Sequence, residues 1–381
     1  MSVISAPSEQ PAMTLDIGML GYRFMGKAHA NALDRLPMFF PEAPAVNKDV
    51  LVGRDEDALA DAADQFDFDR TATDWRAIVD EVDVFYNLGP NHVHAEPSIA
   101  ALEAGTPTFC EKPLAPTLDT AEEMAEAAAD ADVPAGAAFN YRFVPAIQYA
   151  KGLIDDGVLG EIHHFRGQYL QDWLVDPEAP WSWRNDEEMA GSGALGDLGS
   201  HTVDLARFLL GDAAGEITDV SGHLRTFTEE RPVEGSDETR PVTVDDAYSA
   251  QIVFDSGAMG TLEASRVANG HKNAHTIEIE GSKGAVKFDL ERLNELQVLT
   301  EGDRGFQQVL VTDEDDPYVD HWWPPGHVIG WEHTFVHENY EFLSAVADGR
   351  QQEPSFADGL AAQRVLDAIE QSDDRGERVS L

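Results

Sequence analysis

The first 140 residues alternate between short apolar runs and longer segments that carry one acidic face. The runs LDIGML (15–20), KDVLVG (48–53) and VDVFYNL (82–88) are typical of strands that are buried on both faces of a sheet. Segments such as EDALADAADQF (56–66) and EEMAEAAADAD (122–132) look like helices with acidic outer faces. Strands that alternate with helices in this way predict βαβ units in a parallel sheet.

The pattern changes after about residue 150. Long alternating stretches such as HTIEIEGSKGAVKFDLE (275–291) predict strands with one buried face, and GSKG marks a hairpin. We therefore predict an antiparallel sheet with helices on one face, a late helix over HTFVHENYEFLSAVADG (333–349) and a last helix near the C-terminus. The polar segment between residues 229 and 244, EERPVEGSDETRPVT, is predicted to be a loop.

The length of 381 residues is too great for one ordinary hydrophobic core and fits two domains. We predict a mobile tail at 1–13, an α/β domain at 14–142 and an α+β domain at 143–381, whose last helices could pack back on the first domain. The uncovered, flatter face of the second sheet is where we expect a homodimer or homotetramer to form.

The charge balance excludes several classes of partner. Lys and Arg number 26 against 71 Asp and Glu, which gives a formal net charge of −45. So negative a field repels nucleic acid and anionic membranes, and no run of 18 apolar residues predicts a transmembrane helix. The composition resembles that of proteins from salt-loving archaea, where molar salt screens self-repulsion beyond about 3 Å.

Two features point to the cytoplasm. The first dozen residues lack the charged and apolar regions of a signal peptide, so we predict that the chain stays inside the cell. A single cysteine, Cys110, makes an intramolecular disulfide impossible and suits a reducing compartment. We expect Cys110 to serve as buried packing.

The segment GYRFMG (21–26) joins the first predicted strand to the first predicted helix. It matches the phosphate-binding turn G-x-G-x-x-G except at Arg23, and a helix N-terminus there would offer free N–H groups to a phosphate. An ordinary βα turn is the alternative. If the backbone keeps the turn, the Arg23 side chain can extend over a pyrophosphate as a counter-charge. The cofactor candidates here are Gly21, Arg23, Phe24, Met25 and Gly26.

The second predicted strand ends at Gly53, Arg54 and Asp55. An acid at such a strand end usually holds a ribose 2′-hydroxyl, whereas an arginine accommodates a 2′-phosphate. Because Gly53 occupies the acid position and Arg54 follows it, the sequence favours NADP over NAD. Asp55 then fits an N-cap of the next helix, and a solvated Arg54 is the alternative.

Two further motifs carry candidate catalytic groups. Lys112, in CEKP, follows a buried strand at the sheet edge where ligands of open α/β sheets bind, and it could donate to a substrate oxygen. Asp197 and His201 are four residues apart in a predicted helix, so they share a face, and glycines around them would let a ligand approach. Taken alone, Lys112 is equally explained as a solvated lysine at a strand end. Asp197 is equally explained as a helix N-terminal cap, and His201 as a polar helix residue.

Four segments together resemble the Gfo/Idh/MocA family of oxidoreductases over nearly the whole chain. They are GYRFMGKAH (21–29), CEKPLA (110–115), AFNYRFVPA (138–146) and GALGDLGSH (193–201). The resemblance implies an N-terminal Rossmann domain and a C-terminal α+β domain with a large, mostly antiparallel open sheet. It also implies NAD or NADP as cofactor and a hydroxyl of a sugar, anhydrosugar or cyclitol as the reacting group. The segments 169–184 and 322–338 resemble a subgroup that includes levoglucosan and other sugar dehydrogenases.

The resemblance assigns catalytic roles to Lys112, Asp197 and His201. A histidine with a pKa near the working pH is suited to take the hydroxyl proton, which makes His201 the base. Asp197 would orient the imidazole or contact a neighbouring hydroxyl, and Lys112 would stabilise negative charge on the oxygen. Two other functions remain open: elimination or glycoside cleavage with a tightly held cofactor, and cofactor-dependent regulation without turnover.

Other residues complete the predicted site. By resemblance, Pro90, Asn91 and His94 border the nicotinamide ribose, although His94 could equally cap or pack. Glu111 and Lys112 are further cofactor-binding candidates. A polar and aromatic set suits sugar recognition, because a sugar stacks one ring face and hydrogen-bonds its hydroxyls. That set comprises Tyr141, Arg142, Gln171, Asp172, Trp173, Arg184 and His201.

The C-terminal part of the chain contains tryptophans and histidines to which we assign no direct catalytic role. For Trp322, Trp323 and Trp331 we expect packing in the core. His333 and His337 are four apart, a spacing that could bind a metal, but the segment lacks HExxH, and we expect no metal. We instead predict that both histidines lie on a helix surface or in the substrate pocket.

Overall fold

The structure, a computed structural model, describes residues 14–381, so the predicted tail at 1–13 lies outside the described residues. The first sheet has six strands: β1 (Thr14–Leu20), β2 (Ala45–Val52), β3 (Arg70–Ala72), β4 (Val84–Asn87), β5 (Thr108–Glu111) and β6 (Ala135–Ala138). All are parallel, in the order β3-β2-β1-β4-β5-β6. This is the strand order of a dinucleotide-binding Rossmann sheet, so the predicted fold of the N-terminal half is confirmed.

Helices link these strands, and four of them are α1 (Phe24–Phe39), α2 (Glu56–Phe66), α3 (Ala95–Glu103) and α4 (Leu118–Asp130). The helix predicted over 56–66 is confirmed, and the Asp55 carboxylate caps it by accepting the Ala58 N–H at 3.1 Å. The segment WRAIVD (75–80) between β3 and β4 forms a 3₁₀ turn at Trp75–Ala77. The strand β3 escaped prediction because its three residues carry no apolar run.

The second sheet is open and has nine strands. They are β7 (Ile162–Leu170), β8 (Ile217–Arg225), β11 (Ala247–Phe254), β12 (Met259–Ser265), β13 (Ala274–Gly281), β14 (Ala285–Asp289), β15 (Glu295–Leu299), β16 (Gln307–Leu310) and β17 (Val379–Ser380). Their order is β16-β15-β14-β13-β7-β12-β11-β8-β17, and every neighbouring pair is antiparallel except β7 with β12. The predicted large, mostly antiparallel sheet is confirmed.

The predicted loop between residues 229 and 244 contains a short antiparallel ribbon. Its strands are β9 (Glu230–Pro232) and β10 (Thr239–Pro241). The expectation of a loop was therefore wrong for these six positions. The ribbon is pinned by Arg231, which is fully buried and donates to the carbonyl oxygens of Leu174 and Asp176, both at 2.9 Å. The polar composition of the segment gave no indication that Arg231 would be buried.

The remaining helices are α5 (Pro145–Asp155), α6 (Glu187–Ala190), α7 (Ser200–Ala214), α8 (His333–Asp348) and α9 (Phe356–Arg375). The helices α5, α7 and α9 cover one face of the second sheet, where alternate residues such as Phe165 and Tyr169 are buried. On the opposite face of β7, Arg166 and Gln168 are exposed. The alternation is that of an antiparallel sheet with one covered face.

The two sheets are joined by the last two helices. The helix α8 packs against α1, and α9 packs against α4 and β6. Ala137 on β6 donates its N–H to the Pro354 carbonyl oxygen at 2.9 Å, and Asn140 donates to the Thr334 hydroxyl at 2.8 Å. These contacts hold the two sheets in place on either side of a cleft. Among residues 14–381, no helix is both long and apolar enough to span a bilayer.

Candidate active site

The segment GYRFMG forms a tight turn between β1 and α1. Gly21 has a φ of +108°, and a Cβ atom there would lie 2.5 Å from the Leu88 carbonyl oxygen. A Cβ atom at Gly26 would collide with the Gly21 carbonyl oxygen, so both places require glycine. Arg23 has a φ of −84°, which any L-residue adopts, and this explains why a side chain is tolerated where the usual turn has its middle glycine.

The N-terminus of α1 fits an anionic ligand. Arg23 stands at its N-cap, no side chain caps it, and its first turn carries no acid. Within residues 14–381, the first backbone N–H groups of the helix therefore have no intrahelical or side-chain acceptor, which is the arrangement that binds a dinucleotide phosphate. The Arg23 side chain is exposed, with its guanidinium carbon 5.4 Å from the Tyr22 ring centroid.

The end of β2 explains the missing acid. A Cβ atom at Gly53 would collide with the Tyr22 ring, so the tyrosine of the turn takes the room of the usual acidic side chain. Arg54 is exposed directly after it. Asp55 is committed to the α2 cap. This strand end thus presents the accessible guanidinium of Arg54, whereas the Asp55 carboxylate is already hydrogen-bonded as the α2 cap.

Asn91 and Glu111 line the cleft and are fixed by hydrogen bonds. Asn91 donates to the Ala190 carbonyl oxygen at 2.9 Å, and Pro90 beside it is half-buried. Glu111 accepts the Lys112 N–H at 3.1 Å through Oε2, while its Oε1 lies 3.2 Å from His29 Nε2. The two predicted cofactor residues therefore have one fixed orientation each.

His94 does not reach the cleft. Its side chain is fully buried, with Nδ1 3.0 Å from the Pro113 carbonyl oxygen and Nε2 3.0 Å from the Gly89 carbonyl oxygen. Burial lowers its pKa. The prediction that His94 borders the cofactor was wrong, and the packing alternative describes it: the ring braces the loop after β4 against the loop after β5.

A cleft of about 890 Å³ lies between the carboxyl ends of the first sheet and the second domain. It brings together most of the predicted site residues. They are Phe24, Met25, Asn91, Glu111, Lys112, Tyr141, Gln171, Trp173, Arg184, Asp197 and His201. Residues separated by up to 177 positions in the sequence thus line the same cleft, as a catalytic site requires.

Lys112 and Asp197 touch at the centre of this cleft. Lys112 Nζ donates to the Asp197 carbonyl oxygen at 2.7 Å and lies 3.4 Å from Asp197 Oδ1. Burial acts to raise the pKa of Asp197, but the charges of Lys112, Arg184 and Arg266 outweigh it, and the pKa falls below its ordinary value. Asp197 is therefore a carboxylate at neutral pH.

His201 faces the same cleft as a neutral imidazole. Burial, followed by the charges of Lys112 and His275, lowers its pKa well below the ordinary value. We had expected a pKa near the working pH, so the structure corrects that point. The Nδ1 atom is buried and has no partner among the described residues. A neutral ring is the form that can accept a proton.

Asp197 and His201 are presented by an unusual turn. Residues Leu195–Gly199 form a π-helical turn that runs into α7, whereas we had predicted a regular α-helix. Such turns are rare and often occur at functional sites. Gly199 beside them serves packing, because a Cβ atom there would lie 2.7 Å from the Tyr248 ring.

Sequence reasoning missed a chain of hydrogen bonds at the substrate end of the cleft. The Trp331 Nε1–H donates to the Tyr141 hydroxyl at 3.3 Å, which lies 2.7 Å from the Tyr169 hydroxyl. Tyr169 in turn donates to Asn273 Oδ1 at 2.7 Å, and Gln171 donates to the same oxygen at 2.7 Å. Tyr169 could have been found, because it lies two residues before Gln171 on one strand face. Asn273 lies in a loop and gave no signal.

The tryptophans divide between core and cleft. Trp322 is buried, as predicted, but Trp323 is 52% exposed. Trp331 lines the cleft, and its ring stacks on Phe24 with centroids 5.6 Å apart and planes at 21°. Core packing was therefore the wrong expectation for Trp323, whereas Trp331 packs against the core and also lines the cleft. The Phe24–Trp331 stack connects the nucleotide turn with the chain before α8.

Arg142 and Asp172 were wrongly placed in the substrate set. Arg142 is buried and pairs with Asp204, with Nη2 2.6 Å from Oδ1 and Nε 3.0 Å from Oδ2, and Nη2 is 3.1 Å from Asp358 Oδ1. It points away from the cleft and ties α7 to α9. Asp172 accepts from Lys272 Nζ at 2.6 Å outside the cleft. Proximity to a strand end did not reveal which way these side chains point.

The two histidines of α8 belong to the interior. His337 is fully buried, donates from Nδ1 to the Phe143 carbonyl oxygen at 2.9 Å and accepts the Trp322 Nε1–H at 2.7 Å through Nε2. Burial lowers its pKa to about 3. The expected helix-surface or pocket position was wrong for His337. Within residues 14–381, no group of three or more His, Cys, Asp or Glu is arranged to hold a metal ion.

Two protein-family models match the chain. The model for an oxidoreductase family with an NAD-binding Rossmann fold matches residues 15–139, and the model for the GFO/IDH/MocA C-terminal domain matches residues 147–287. The two matches fall on the first sheet and on most of the second.

Individual proteins match along nearly the whole length. Levoglucosan dehydrogenase of Pseudarthrobacter phenanthrenivorans is 42% identical over 378 residues, which cover 94% of this chain and 96% of that protein. The crystal structure of an oxidoreductase domain protein from Kribbella flavida has a TM-score of 0.92 at 47% identity, over 97% of this chain and 99% of its own. A structure of levoglucosan dehydrogenase in complex with NADH and levoglucosan has a TM-score of 0.92 at 41% identity, with the same coverage.

Proposed function

The chain belongs to the Gfo/Idh/MocA family of oxidoreductases, and from this premise we propose that it is an NAD(P)-dependent dehydrogenase of a sugar, anhydrosugar or cyclitol. The observation that carries the proposal is the contact of Lys112 with Asp197 beside a neutral His201, in a cleft that also contains the end of the nucleotide turn. A relative that is 42% identical is named for the oxidation of levoglucosan, which supports an anhydrosugar as the substrate class.

The cleft residues divide the chemistry between them. A nicotinamide held in the cleft would supply the acceptor for the hydride of the carbinol carbon. Lys112 donates a hydrogen bond to the reacting oxygen and stabilises negative charge there. His201 accepts the hydroxyl proton, so that the carbon–oxygen single bond becomes a carbonyl. Asp197, as a carboxylate, holds Lys112 in position and offsets the charge that His201 gains.

The low pKa of His201 has a consequence for this role. A base that is hard to protonate in the free enzyme stays ready to accept a proton even in mildly acidic solution. Its proton affinity rises as negative charge develops on the reacting oxygen of the substrate. We therefore place the proton on His201 only in the transition state and in the product complex.

Substrate recognition falls to the aromatic and amide groups around the reacting centre. Trp331 and Trp173 offer apolar faces to a sugar ring, and Gln171, Asn273 and Arg184 offer hydrogen bonds to hydroxyls. The Tyr141 and Tyr169 hydroxyls extend this set through their chain to Asn273. The balance of stacking faces and amides supports a carbohydrate over a charged metabolite.

For the cofactor we propose that the turn Gly21–Gly26 holds the pyrophosphate, with Arg23 as a counter-charge and Phe24 and Met25 at its edge. Pro90, Asn91 and Glu111 border the nicotinamide end. The exposed Arg54, next to an acid position left vacant by Gly53, supports a preference for NADP, although the solved relative with levoglucosan binds NADH.

We also propose that the enzyme works in a salt-rich cytoplasm as a homodimer or homotetramer through the uncovered face of the nine-stranded sheet. That face is polar, with the ion pairs Arg166–Glu280 at 2.9 Å and Lys287–Glu278 at 2.8 Å, so its partner surface must be polar too. A molar mass measured by light scattering in molar KCl tests the assembly.

The substrate test is a panel of sugars, cyclitols and anhydrosugars offered with NAD and with NADP in high salt, read by the absorbance of the reduced nicotinamide. We expect stoichiometric release of reduced cofactor with at least one anhydrosugar or sugar. Consumption of substrate without release of reduced cofactor would favour redox-assisted elimination. Absence of turnover with tight cofactor binding would favour a regulator.

A further inference from the structure

Asp245 holds the start of the catalytic segment through three successive amides. Its Oδ1 accepts the Gly193 N–H at 2.6 Å, its Oδ2 accepts the Leu195 N–H at 3.0 Å, and its carbonyl oxygen accepts the Ala194 N–H at 3.1 Å. Asp245 is itself buried. One residue therefore fixes the backbone immediately before the π-helical turn that presents Asp197.

Arg266 fixes Asp245 and two other parts of the cleft. Its Nη2 donates to the Asp245 carbonyl oxygen at 2.9 Å and its Nη1 donates to the Arg184 carbonyl oxygen at 3.2 Å. The Arg266 carbonyl oxygen accepts the Leu174 N–H at 3.0 Å. This single side chain and its backbone thus connect the π-helical turn, the predicted substrate residue Arg184 and the loop after β7.

Gly193 packs tightly against Asp245 and Arg266. A Cβ atom at Gly193 would collide with the Asp245 carbonyl oxygen and lie 2.6 Å from Arg266 Nη2. A side chain at position 193 would therefore push the segment away from both residues. Such close contact is what a device that fixes catalytic geometry needs, since errors near 1 Å are costly for catalysis.

The charge of Arg266 is not neutralised by a direct ion pair. The side chain is fully buried, its two hydrogen bonds within residues 14–381 go to carbonyl oxygens, and its Nε has no partner among those residues. A buried cation without a paired anion is expensive to keep. Its positive charge acts instead on two carboxylates at a distance, Asp197 and Asp245.

Resting on the proposed function, we infer that Arg266 and Asp245 are positioning residues for catalysis, which set the π-helical turn and hold Asp197 and Arg184 in register across the cleft. Neither residue needs to touch the reacting atoms for this. Arg266 has a second effect through space: its charge favours the carboxylate form of Asp197, so its removal raises the pKa of that group.

The chain offers a matched control in Arg231. This arginine is also fully buried, and among the described residues it also donates to backbone carbonyl oxygens, at Leu174 and Asp176, and has an Nε without a partner. It donates no hydrogen bond to residues 193–199. Arg231→Met therefore removes the same buried cation and two similar hydrogen bonds, while the catalytic segment keeps its own support.

The experiment compares Arg266→Met with Arg231→Met in the full chain by two readouts. Hydrogen exchange of the peptide that spans residues 193–199 is measured without substrate, and the pH dependence of kcat/KM is measured with the best sugar of the panel. We expect faster exchange, a kcat reduced by about 10²-fold and an acid limb moved to higher pH in Arg266→Met only. Asp245→Asn, nearly isosteric, should also speed exchange and lower kcat, which keeps the test open if Arg266→Met does not fold.

Equal behaviour of the two arginine variants, in exchange and in the acid limb, would overturn the inference. So would unchanged exchange at 193–199 in Asp245→Asn. The exchange readout needs no turnover, so a wild-type protein that oxidises no sugar would refute the proposed function while the exchange data still decide on the two positioning residues.

Discussion

At the scale of single residues, chemistry-bearing side chains could be predicted where a motif fixes both identity and direction. Lys112, Asp197 and His201 meet in one cleft as their motifs indicated. Arg142 and His94 come from equally suggestive segments, but both are buried and bonded away from the cleft. Their direction depends on partners such as Asp204 and the Gly89 carbonyl, which lie elsewhere in the chain and leave no local trace.

The first residue-scale prediction concerns the catalytic pair. Lys112→Ala and His201→Ala should each lower kcat by at least about 10²-fold, because they remove the oxyanion donor and the proton acceptor. Affinity for the reduced cofactor, measured by fluorescence titration, should stay close to wild type. Exposed Lys283→Ala and His163→Ala serve as controls that keep turnover. Full activity in either cleft variant would refute the assignment.

The second prediction concerns Glu338 on α8. Its side chain is fully buried and neither carboxyl oxygen has a partner among the described residues. Burial, followed by the charge of Glu111, raises its pKa well above the ordinary value, so folding favours the protonated acid. The stability that this acid contributes is present at low pH and is lost as the pH rises through the folded pKa.

Glu338→Gln copies the protonated form and does not titrate. We expect equal stability of variant and wild type near pH 4.5, with the variant gaining up to about 1.4 kcal/mol per pH unit above that until the folded pKa is reached. Denaturant unfolding at several pH values measures this gap. Asp348→Asn, an exposed acid on the same helix, should show no such trend. A gap that stays constant with pH would contradict the account.

The third prediction concerns the nucleotide preference. Arg54→Ala should raise KM for NADP by about 10-fold and leave KM for NAD nearly unchanged, because only the former has a 2′-phosphate for the guanidinium. Steady-state kinetics with both cofactors measure the ratio. Equal or better activity of the wild-type protein with NAD would defeat the role given to Arg54.

At the scale of elements, helices and strands with strong apolar patterns were predictable, and the exceptions have specific causes. The π-helical turn at Leu195–Gly199 depends on the distant Asp245 and Tyr248, which no helical pattern encodes. The ribbon of β9 and β10 depends on the burial of Arg231, a residue usually found on the surface. Both are cases in which tertiary contacts override local sequence.

Two glycines of α7 and its preceding turn give a matched test. Gly199→Ala should destabilise the protein by more than about 1 kcal/mol, because its Cβ would press on the Tyr248 ring. Gly211→Ala, in open space in the same helix, should stabilise it by about 0.5–1 kcal/mol. Thermal unfolding measures both. The same sign for the two substitutions would show that the approach of Tyr248 does not constrain the turn.

At the scale of the whole molecule, the two-sheet architecture follows from the change in pattern near residue 150, and the comparisons agree with it. The composition adds a separate property that the fold does not determine. A net charge of −45 on one chain produces strong self-repulsion at low ionic strength.

Salt should therefore stabilise the protein. We expect the melting temperature to rise as KCl increases from about 0.1 M to about 1 M, where the Debye length shrinks from about 10 Å to about 3 Å. NaCl at equal ionic strength should act similarly, since screening does not depend on the identity of the cation. A melting temperature that is flat or falls over this range would contradict the proposal of a salt-rich cytoplasm.

We propose that this chain oxidises a carbinol carbon by direct hydride transfer to a nicotinamide that is then released. The most direct measurement uses the best sugar of the panel, deuterated at the reacting carbon, and the mass of the reduced cofactor that leaves the enzyme. We expect the released cofactor to carry the deuterium and the sugar product to be a carbonyl compound. Deuterium that stays in the sugar product, with no labelled cofactor in solution, would contradict it.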